Sequence, residues 1–377
     1  MTTSLSRRAF RRPTALLFAA TLGAATLSAC SSSGDNADGG SDAGADKETI
    51  QVVASTSIWA DVAQAVVDTA QTDVNIDVRP IVSGNGVDPH HFEPTAADIA
   101  RANDADVIIA GGGGYDAWLY QAVKNQDEII HALPLTAHDH GYHDHDEHDH
   151  GEHDHGEEHD HAHEEHAHDH DEPGHDEHDH GEGHEHDHAH EGETVTMDEA
   201  KKIAAEHPEQ ITNIDGNEHV WYDAAAIEKV ATDVANLVNE ANPEAKATAD
   251  PLVERVEGLK ARIEKLPQHN YAQTEPIADY IFKYTESTDA TPEGYRKATV
   301  AEGEPTAADL ARFLEDIKQD KIDLLIFNPQ TETDMTKRIR TAAEDKNIPV
   351  VEIGETPPEK TNFLDYYEEV VNALEAA

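Results

Sequence analysis

The sequence predicts an α/β protein in which two similar lobes, each with a mostly parallel sheet, are joined by a long linking helix. Two observations support this fold class. Short apolar runs alternate with stretches of helical spacing near the start of the chain, and the same alternation returns near its end. A nine-residue segment also occurs twice, as residues 93–101 and 304–312, with one conservative change. A repeated lobe accounts for both observations.

The first lobe is predicted to span residues 48–242. Ile50 to Ser55 is a short run that favours a strand, and Ile58 to Val67 follows with helical spacing. Further strand-like runs lie at 74–82 and 106–110. Strands that alternate with helices favour a mostly parallel sheet with helices on its faces.

The second lobe is predicted to span residues 267–377. The two copies of the repeat pair Thr95 with Asp98 and Thr306 with Asp309. This spacing predicts a helix start, because the two side chains cap backbone N–H groups of the first turn. Each predicted helix leads into an apolar strand. The second lobe is assigned helices at 307–318, 335–345 and around 363–374, and strands at 322–327 and 350–353.

Residues 243–266 are predicted to form the linking helix. Apolar side chains recur there at steps of three or four residues, which gives one buried face. Pro251 is expected to start or kink this helix. A helix of roughly 15 to 20 residues spans about 22 to 30 Å, which suits a crossing between lobes. The apolar positions are Val253, Val256, Leu259, Ile263 and Leu266.

The charge of the chain limits its partners. Lys and Arg total 27 against 78 Asp and Glu, which gives a formal net charge of −51. Attraction to nucleic acid phosphates or anionic lipid headgroups is therefore excluded. Cations are the expected partners.

The first 29 residues are interpreted as a signal peptide for export. Arginines precede an apolar run at 15–27 that is too short to span a bilayer comfortably. The run ends in Leu27-Ser28-Ala29-Cys30, which resembles the bacterial lipobox, where the cysteine is acylated and becomes the mature N terminus. Cys30 is the only cysteine of the chain, and the alternative is a free thiol. Ser6 to Phe10 also resembles a twin-arginine motif, so the Sec and twin-arginine routes both stay open.

Residues 30–47 are predicted to form a lipidated, flexible tether, because their Ser, Gly, Asp and Ala offer almost nothing to bury. A tether of this length reaches roughly 20 to 25 Å. We therefore expect an extracytoplasmic body that a lipid anchor holds at the cell membrane.

The composition changes abruptly at residues 138–193. Between His138 and Glu191 lie 21 of the 27 histidines together with 22 Asp or Glu, and no Lys or Arg. This segment has no apolar periodicity and is predicted to be a disordered insertion in the first lobe. Its alternating imidazoles and carboxylates favour several metal sites of low specificity, the alternative being a merely acidic linker. His184 to His188 matches H-E-x-x-H, but that metalloprotease motif needs an amphipathic helix, which this composition does not provide.

A tight metal site needs ligands from ordered elements, which directs attention to the histidines outside the insertion. His90 and His91 lie in D-P-H-H-F-E-P-T, just before a capped helix. His219 lies in N-E-H-V-W-Y-D, beside aromatic side chains that can exclude water. Considered alone, each would more often be a structural histidine than a ligand. The remaining histidines outside the insertion are His131, His207 and His269.

These segments together resemble the zinc and manganese solute-binding proteins of bacterial ABC importers, also called the cluster A-I or cluster 9 binding proteins. The resemblance covers nearly all of residues 48–377. It rests on the segments 88–98, 217–223 and 274–280 and on the His-rich insertion between the first two. It implies a protein that captures a metal ion outside the cytoplasm and delivers it to an importer permease, with limited movement of the lobes.

The resemblance also implies a four-ligand metal site between the lobes. The first lobe would contribute His90, with His91 as second choice, and His219. The second lobe would contribute Glu275, at a position that is histidine in many zinc members and glutamate in many manganese members. The fourth ligand of the family is usually a carboxylate, and Glu355 is its nearest match.

The predicted metal is zinc, with manganese as the alternative. Two imidazoles and two carboxylates form a harder site than three imidazoles, which favours manganese. The His-rich insertion favours zinc, because zinc accepts mixed nitrogen and oxygen ligands and histidines would be a poor manganese reservoir. We give the insertion more weight.

The sequence predicts a binding protein and no enzyme. A secreted metallohydrolase would need an open coordination position and a general base, and four protein ligands leave neither. The remaining alternative is a surface metal buffer or adhesin without a transporter. The run Gly111 to Gly114 lacks the residues of a phosphate-binding loop and is interpreted as a strand-to-helix turn, and Asn328 to Gln330 is either a cleft lining or an ordinary loop.

Overall fold

The computed structural model describes residues 49–71, 75–83, 92–124, 129–135 and 194–377. The predicted signal peptide, Cys30, the tether, the ligand candidates His90 and His91 and the His-rich insertion lie outside these residues. Within the described residues, no helix combines the length and the apolar character needed to cross a membrane.

The first sheet has four parallel strands and is built from the N-terminal part of the chain. Its strands stand in the order β2-β1-β3-β4, and Val52 lies opposite both Val78 and Val107. The elements of this part are β1 (Ile50–Thr56), α1 (Ser57–Val67), β2 (Ile76–Val82), α2 (Ala96–Asp104), β3 (Val107–Ala110), α3 (Ala117–Ala122) and β4 (Ile129–His131).

The middle of the chain is mainly helical and adds a two-stranded parallel sheet formed by its two short strands. Its elements are β5 (Thr194–Val195), α4 (Met197–Glu206), β6 (Asn213–Ile214), α5 (Ala224–Ala241) and α6 (Asp250–Ile263), with a 3₁₀ turn at Val220–Tyr222.

The second sheet also has four parallel strands. Its elements are β7 (Asn270–Gln273), α7 (Asp279–Phe282), β8 (Thr288–Asp289), α8 (Glu293–Val300), α9 (Ala307–Lys318), β9 (Leu324–Phe327), α10 (Asp334–Asp345), β10 (Val350–Glu352) and α11 (Phe363–Ala376), with a 3₁₀ turn at Pro276–Ala278. The strand order is β10-β9-β7-β8. In chain order, each sheet therefore places its first strand between its second and third, with the fourth beyond the third.

The predicted fold class, two related α/β sets with parallel sheets, is confirmed. The two copies of the nine-residue repeat begin α2 and α9, which lead into the third strand of each sheet. Both copies form the predicted capping box. Thr95 Oγ1 donates to Asp98 Oδ2 at 2.7 Å, and Thr306 Oγ1 donates to Asp309 Oδ2 at 2.6 Å.

The linking helix begins later than predicted. Residues 243–249 form a loop, in which the Asn239 side chain bonds both backbone groups of Ala247, and α6 starts at Asp250 with Pro251 in its first turn. The predicted apolar face is present, because Val256, Leu259 and Ile263 are buried. α6 packs against α1, α5 and α11.

One apolar core spans both sheets. The side chains of β3 alternate, since Ile109 joins the main core and Ile108 joins a smaller cluster on the other face of the first sheet. β9 repeats this pattern, with Ile326 in the main core and Leu325 in a separate cluster. Both sheets thus turn one face toward the same core, which α1, α5, α6 and α11 complete.

Candidate metal centre

Three predicted ligands meet in one group. His219, Glu275 and Glu355 each offer a ligand atom, and these atoms lie within 4.8 Å of one another. His219 Nε2 is 3.2 Å from Glu355 Oε1. His219 and Glu355 are buried and Glu275 is half-buried. In the described part of the chain this is the one group of three or more His, Cys, Asp or Glu that could hold a metal ion.

The two glutamates stand at the carboxyl edge of the second sheet. Glu275 comes two residues after β7, and the backbone N–H of Thr274 still bonds Ile326 of β9. Glu355 comes three residues after β10. Its loop is fixed by Gly354, whose N–H donates to the Tyr366 hydroxyl at 2.8 Å and whose carbonyl accepts from Tyr222 at 2.9 Å. The carboxyl ends of parallel strands are the usual place for a ligand site in α/β proteins.

His219 reaches the site from the middle of the chain, where it precedes the 3₁₀ turn. Asn217 Oδ1 lies 2.6 Å from His219 Nδ1 and also accepts the His219 backbone N–H. The amide of Asn217 is held in this orientation because its Nδ2 donates to Asp279 Oδ2 at 2.8 Å. Since Oδ1 can only accept, Nδ1 carries a ring proton, and Nε2 is the ring nitrogen directed at Glu355.

This arrangement suits a cation. His219 Nε2 and a carboxylate oxygen of Glu355 lie 3.2 Å apart, and Glu275 adds a second carboxylate. Two carboxylates brought together away from water repel each other unless a positive charge lies among them, and a proton on Nε2 or a bound metal ion can supply that charge. Imidazole nitrogen with carboxylate oxygen is a donor set that zinc and neighbouring transition metals accept.

Asn328 and Thr331 surround the glutamates and were not predicted as site residues. Asn328 Nδ2 donates to Glu275 Oε2 and, at 2.8 Å, to Glu355 Oε1. Thr331 Oγ1 donates to Glu275 Oε2 at 2.7 Å. By its sequence Asn328 fits either a cleft lining or an ordinary loop, and its place directly after β9, at the carboxyl edge of the sheet, favours the cleft.

Aromatic side chains cover the histidine. The rings of His219 and Trp221 are 5.1 Å apart between centroids, and Trp221 is 5.1 Å from Tyr115. Glu218 accepts the backbone N–H groups of Gly114 and Tyr115, which ties the glycine run after β3 to the neighbour of His219. These contacts exclude water from one side of the site.

The glycine run forms the predicted strand-to-helix turn between β3 and α3. Gly112 has a φ of 95°, and a Cβ there would lie 1.9 Å from the Leu133 carbonyl oxygen, so a larger residue would be both strained and blocked.

An ion-pair network around Asp279 helps to fix the side chain of Asn217. Arg296 bonds both oxygens of Asp279, at 3.1 and 3.0 Å, and also reaches Asp215 and Asp289. Burial raises the pKa of the Asp289 carboxyl, and the nearby Asp279 raises it further. The chain of contacts from Arg296 through Asp279 and Asn217 fixes the ring of His219.

The remaining described histidines are not part of this group. His269 precedes β7, at the opposite edge of the second sheet from Glu275, and its Nδ1 pairs with Asp323 at 2.9 Å. His207 follows α4 and is exposed, and His131 ends β4. His90, the fourth predicted ligand, lies outside the described residues, so its role stays a prediction.

Residues 52–377 match the model of a known protein family, the zinc-uptake complex component A, periplasmic, or ZnuA. The chain belongs to the ZnuA family. The family expected from the sequence motifs is thereby confirmed.

Two curated relatives of this ZnuA-family chain are lipoproteins. It is 32% identical over 102 residues to the manganese-binding lipoprotein MntA of Halalkalibacterium halodurans, and this match covers 25% of this chain and 32% of the relative. It is 33% identical over 114 residues to the iron ABC transporter substrate-binding lipoprotein MtsA of Streptococcus pyogenes, and this match covers 29% of this chain and 33% of the relative. The match thus spans about a third of the length of these relatives.

Solved structures show the same fold. A crystal structure of ZnuA superposes with a TM-score of 0.51 and 14% identity, over 87% of this chain and 98% of that one. The laminin-binding adhesin of Streptococcus agalactiae superposes with a TM-score of 0.52 and 15% identity, over 87% of this chain and 97% of that one. At these identities the likeness establishes the fold of the ZnuA-family chain.

Proposed function

We propose that the protein is the extracytoplasmic metal-binding component of an ABC importer, that it captures zinc, and that it delivers the ion to a membrane permease. The observation that carries this proposal is the group of buried His219 and Glu355 with half-buried Glu275, in which Nε2 of the histidine faces a carboxylate oxygen at 3.2 Å. Membership of the ZnuA family supports the same function.

The ligand set of the proposal is His90, His219, Glu275 and Glu355. A neutral imidazole and two carboxylates satisfy a divalent cation, and a fourth ligand from His90 would complete the tetrahedron that zinc prefers. Four protein ligands leave no coordination position for a reacting water, so we assign the protein to binding and not to catalysis. Manganese is the alternative cargo, and the name of one relative, a manganese-binding lipoprotein, is consistent with it.

The proposed location is the outer face of the cell membrane. Cys30 would carry the lipid anchor. Both relatives are named as lipoproteins, which supports a lipid anchor for this chain as well. A permease with its ATPase would then receive the ion.

Histidine substitutions test the site. We expect His219→Ala to weaken the tightest zinc-binding step of the full chain by at least about 100-fold, because it removes a donor from a site whose two glutamates are held in place by hydrogen bonds. His207→Ala and His269→Ala are matched controls, since neither histidine approaches the glutamates. Competition with a zinc chelator measures this step. Equal losses in all three variants would mean that His219 is not a ligand.

A further inference from the structure

Glu275 stands at the ligand position where, by the family resemblance, many zinc members have histidine and many manganese members have glutamate. Its Oε2 accepts two hydrogen bonds, one from Asn328 Nδ2 and one from Thr331 Oγ1 at 2.7 Å. A carboxylate oxygen has two lone pairs, and these two donors engage both of them. Binding of a cation by Glu275 therefore falls to Oε1.

Asn328 holds the second glutamate with the same nitrogen. Its Nδ2 also donates to Glu355 Oε1 at 2.8 Å, the oxygen that faces His219 Nε2. Asn328 is itself fully buried, and its position is fixed because its Oδ1 accepts the Gln330 N–H at 2.9 Å and its own N–H donates to Thr274 Oγ1 at 3.2 Å. Turning either carboxylate to present both oxygens to a cation would break a bond to this fixed amide.

The number of oxygens that a carboxylate offers affects which cation fits. Zinc is satisfied by four donors and accepts one oxygen from each carboxylate. Harder cations that favour oxygen, such as manganese, gain from a larger number of oxygen ligands. A glutamate that can give one oxygen only thus favours the cation with the lower coordination number.

We propose that Asn328 and Thr331 are specificity-determining residues, which restrict Glu275 to one-oxygen coordination and so favour zinc over manganese at a site whose carboxylates alone would suit manganese. This inference rests on the proposed function, since it needs Glu275 to be a ligand. Neither side chain is itself proposed as a ligand.

The test compares zinc and manganese in the full chain carrying Thr331→Val, Asn328→Ala or both. Thr331→Val keeps the shape of the side chain and replaces only the hydroxyl. Thr341→Val is its control, because Thr341 is exposed and its hydroxyl bonds the Lys337 carbonyl within α10. Chelator competition gives the dissociation constants of the tightest step for each metal. X-ray absorption at half an equivalent of metal gives the number of bound oxygens.

We expect the ratio of the manganese to the zinc dissociation constant to fall about tenfold in the double variant, a size typical for the loss of partners that orient a metal ligand. The ratio should fall less in Thr331→Val and stay unchanged in Thr341→Val. Bound manganese in the double variant should show one more oxygen neighbour than in the unaltered chain.

Other results would overturn the inference. If both metals weaken by the same factor, or if the ratio stays within twofold in every variant that folds, Asn328 and Thr331 only stabilise their loop. Thr331→Val alone decides the question should Asn328→Ala fail to fold, because a change in the ratio is expected there too. If the unaltered chain shows no tight zinc-binding step that His219→Ala removes, the proposed function itself is refuted. This result differs from those that overturn only the specificity inference, so the two failures can be told apart.

Discussion

At the residue scale, the buried carboxylate of Asp116 is not part of the group that could hold a metal ion. Asp116 is 1% exposed and accepts hydrogen bonds from Ser55 Oγ at 3.2 Å and from the Gly112 N–H at 3.0 Å. Burial raises its pKa to about 6, and these hydrogen bonds only partly oppose the rise. The folded protein therefore holds the Asp116 proton more tightly than the unfolded chain does.

Asp116 should make the folded protein less stable as the pH rises. A pKa raised from 3.8 to about 6 corresponds to a loss of about 3 kcal/mol in the free energy of unfolding, which develops between about pH 4 and pH 6 and stays constant above. We expect Asp116→Asn to remove this loss, because an amide does not ionise while its oxygen can still accept both hydrogen bonds.

Urea denaturation of the metal-free protein from pH 4 to pH 7 measures this effect as the difference between variant and unaltered chain. Exposed Asp345 provides the control Asp345→Asn. A difference that does not change with pH would contradict the assigned burial effect.

The ligand candidates could be predicted from the sequence, but the residues that orient them could not. His219 and Glu275 lie within compact motifs, and Glu355 follows an apolar strand run. Asn217 lies in the same motif as His219, and Asn328 directly follows an apolar strand. Neither position shows by itself that the asparagine orients a ligand, because that role depends on which carboxylate the fold brings beside it. The hydrogen bond from Asn217 to Asp279 joins residues 62 positions apart, a separation that local pattern does not encode.

At the element scale, the helix bounds predicted best are those of a helix with both a capping motif and apolar residues at helical spacing. The predicted bounds 307–318 agree with α9, which has a capping box and an apolar face. The linking helix was predicted from residue 243, but α6 begins at Asp250 with Pro251 in its first turn, which is one of the two roles expected for this proline. The 18-residue α5 was not predicted, although its apolar face recurs at helical steps.

The two capping boxes offer a matched pair of tests at this scale. We expect Thr95→Ala and Thr306→Ala each to lower the free energy of unfolding by about 1 kcal/mol, because each removes the hydroxyl that accepts an N–H of the first turn. The two effects should add in the double variant, because Thr95 caps α2 of the first sheet, Thr306 caps α9 of the second sheet, and their capping bonds share no partner.

Thermal or urea unfolding gives the comparison for these caps. Thr341→Ala changes a threonine in mid-helix and should leave stability nearly unchanged or slightly raised. A much larger effect at one cap than at the other would show that the two copies of the repeat are not structurally equivalent.

At the scale of the whole molecule, the shared core limits how the two sheets can move. Side chains of both sheets, such as Ile109 and Ile326, belong to one apolar cluster. A wide opening would expose that cluster at about 25 cal/mol for each Å². We therefore expect metal release to accompany a small movement of loops at the carboxyl edge, in agreement with the limited movement that the family resemblance implied.

The anchor gives a prediction for the whole chain in the cell. Replacing Cys30 with Ala should release the protein from the membrane, because acylation needs a thiol and Cys30 is the only cysteine of the sequence. Membrane fractionation measures the retained share. Ser31→Ala, next to the proposed lipid site, is the control and should leave retention unchanged. Retention of Cys30→Ala at the original level would refute the lipoprotein assignment.

The last prediction separates the His-rich insertion from the metal centre. Deletion of residues 138–191 should leave the fold and the tightest zinc-binding step intact, while the number of zinc ions bound falls. The sequence of this segment offers nothing to build a core, so its ligands must be ordered as they bind, which costs conformational free energy that His219, Glu275 and Glu355 do not incur.

Sites in the insertion should also lose metal first below about pH 6.5, where imidazoles become protonated. Circular dichroism checks the fold and calorimetric titration counts the sites, with uptake expected to suffer only when zinc is scarce, because the insertion raises the local metal concentration. Loss of the tightest step on deletion would place the primary site in the insertion and refute the assignment of His90, His219, Glu275 and Glu355.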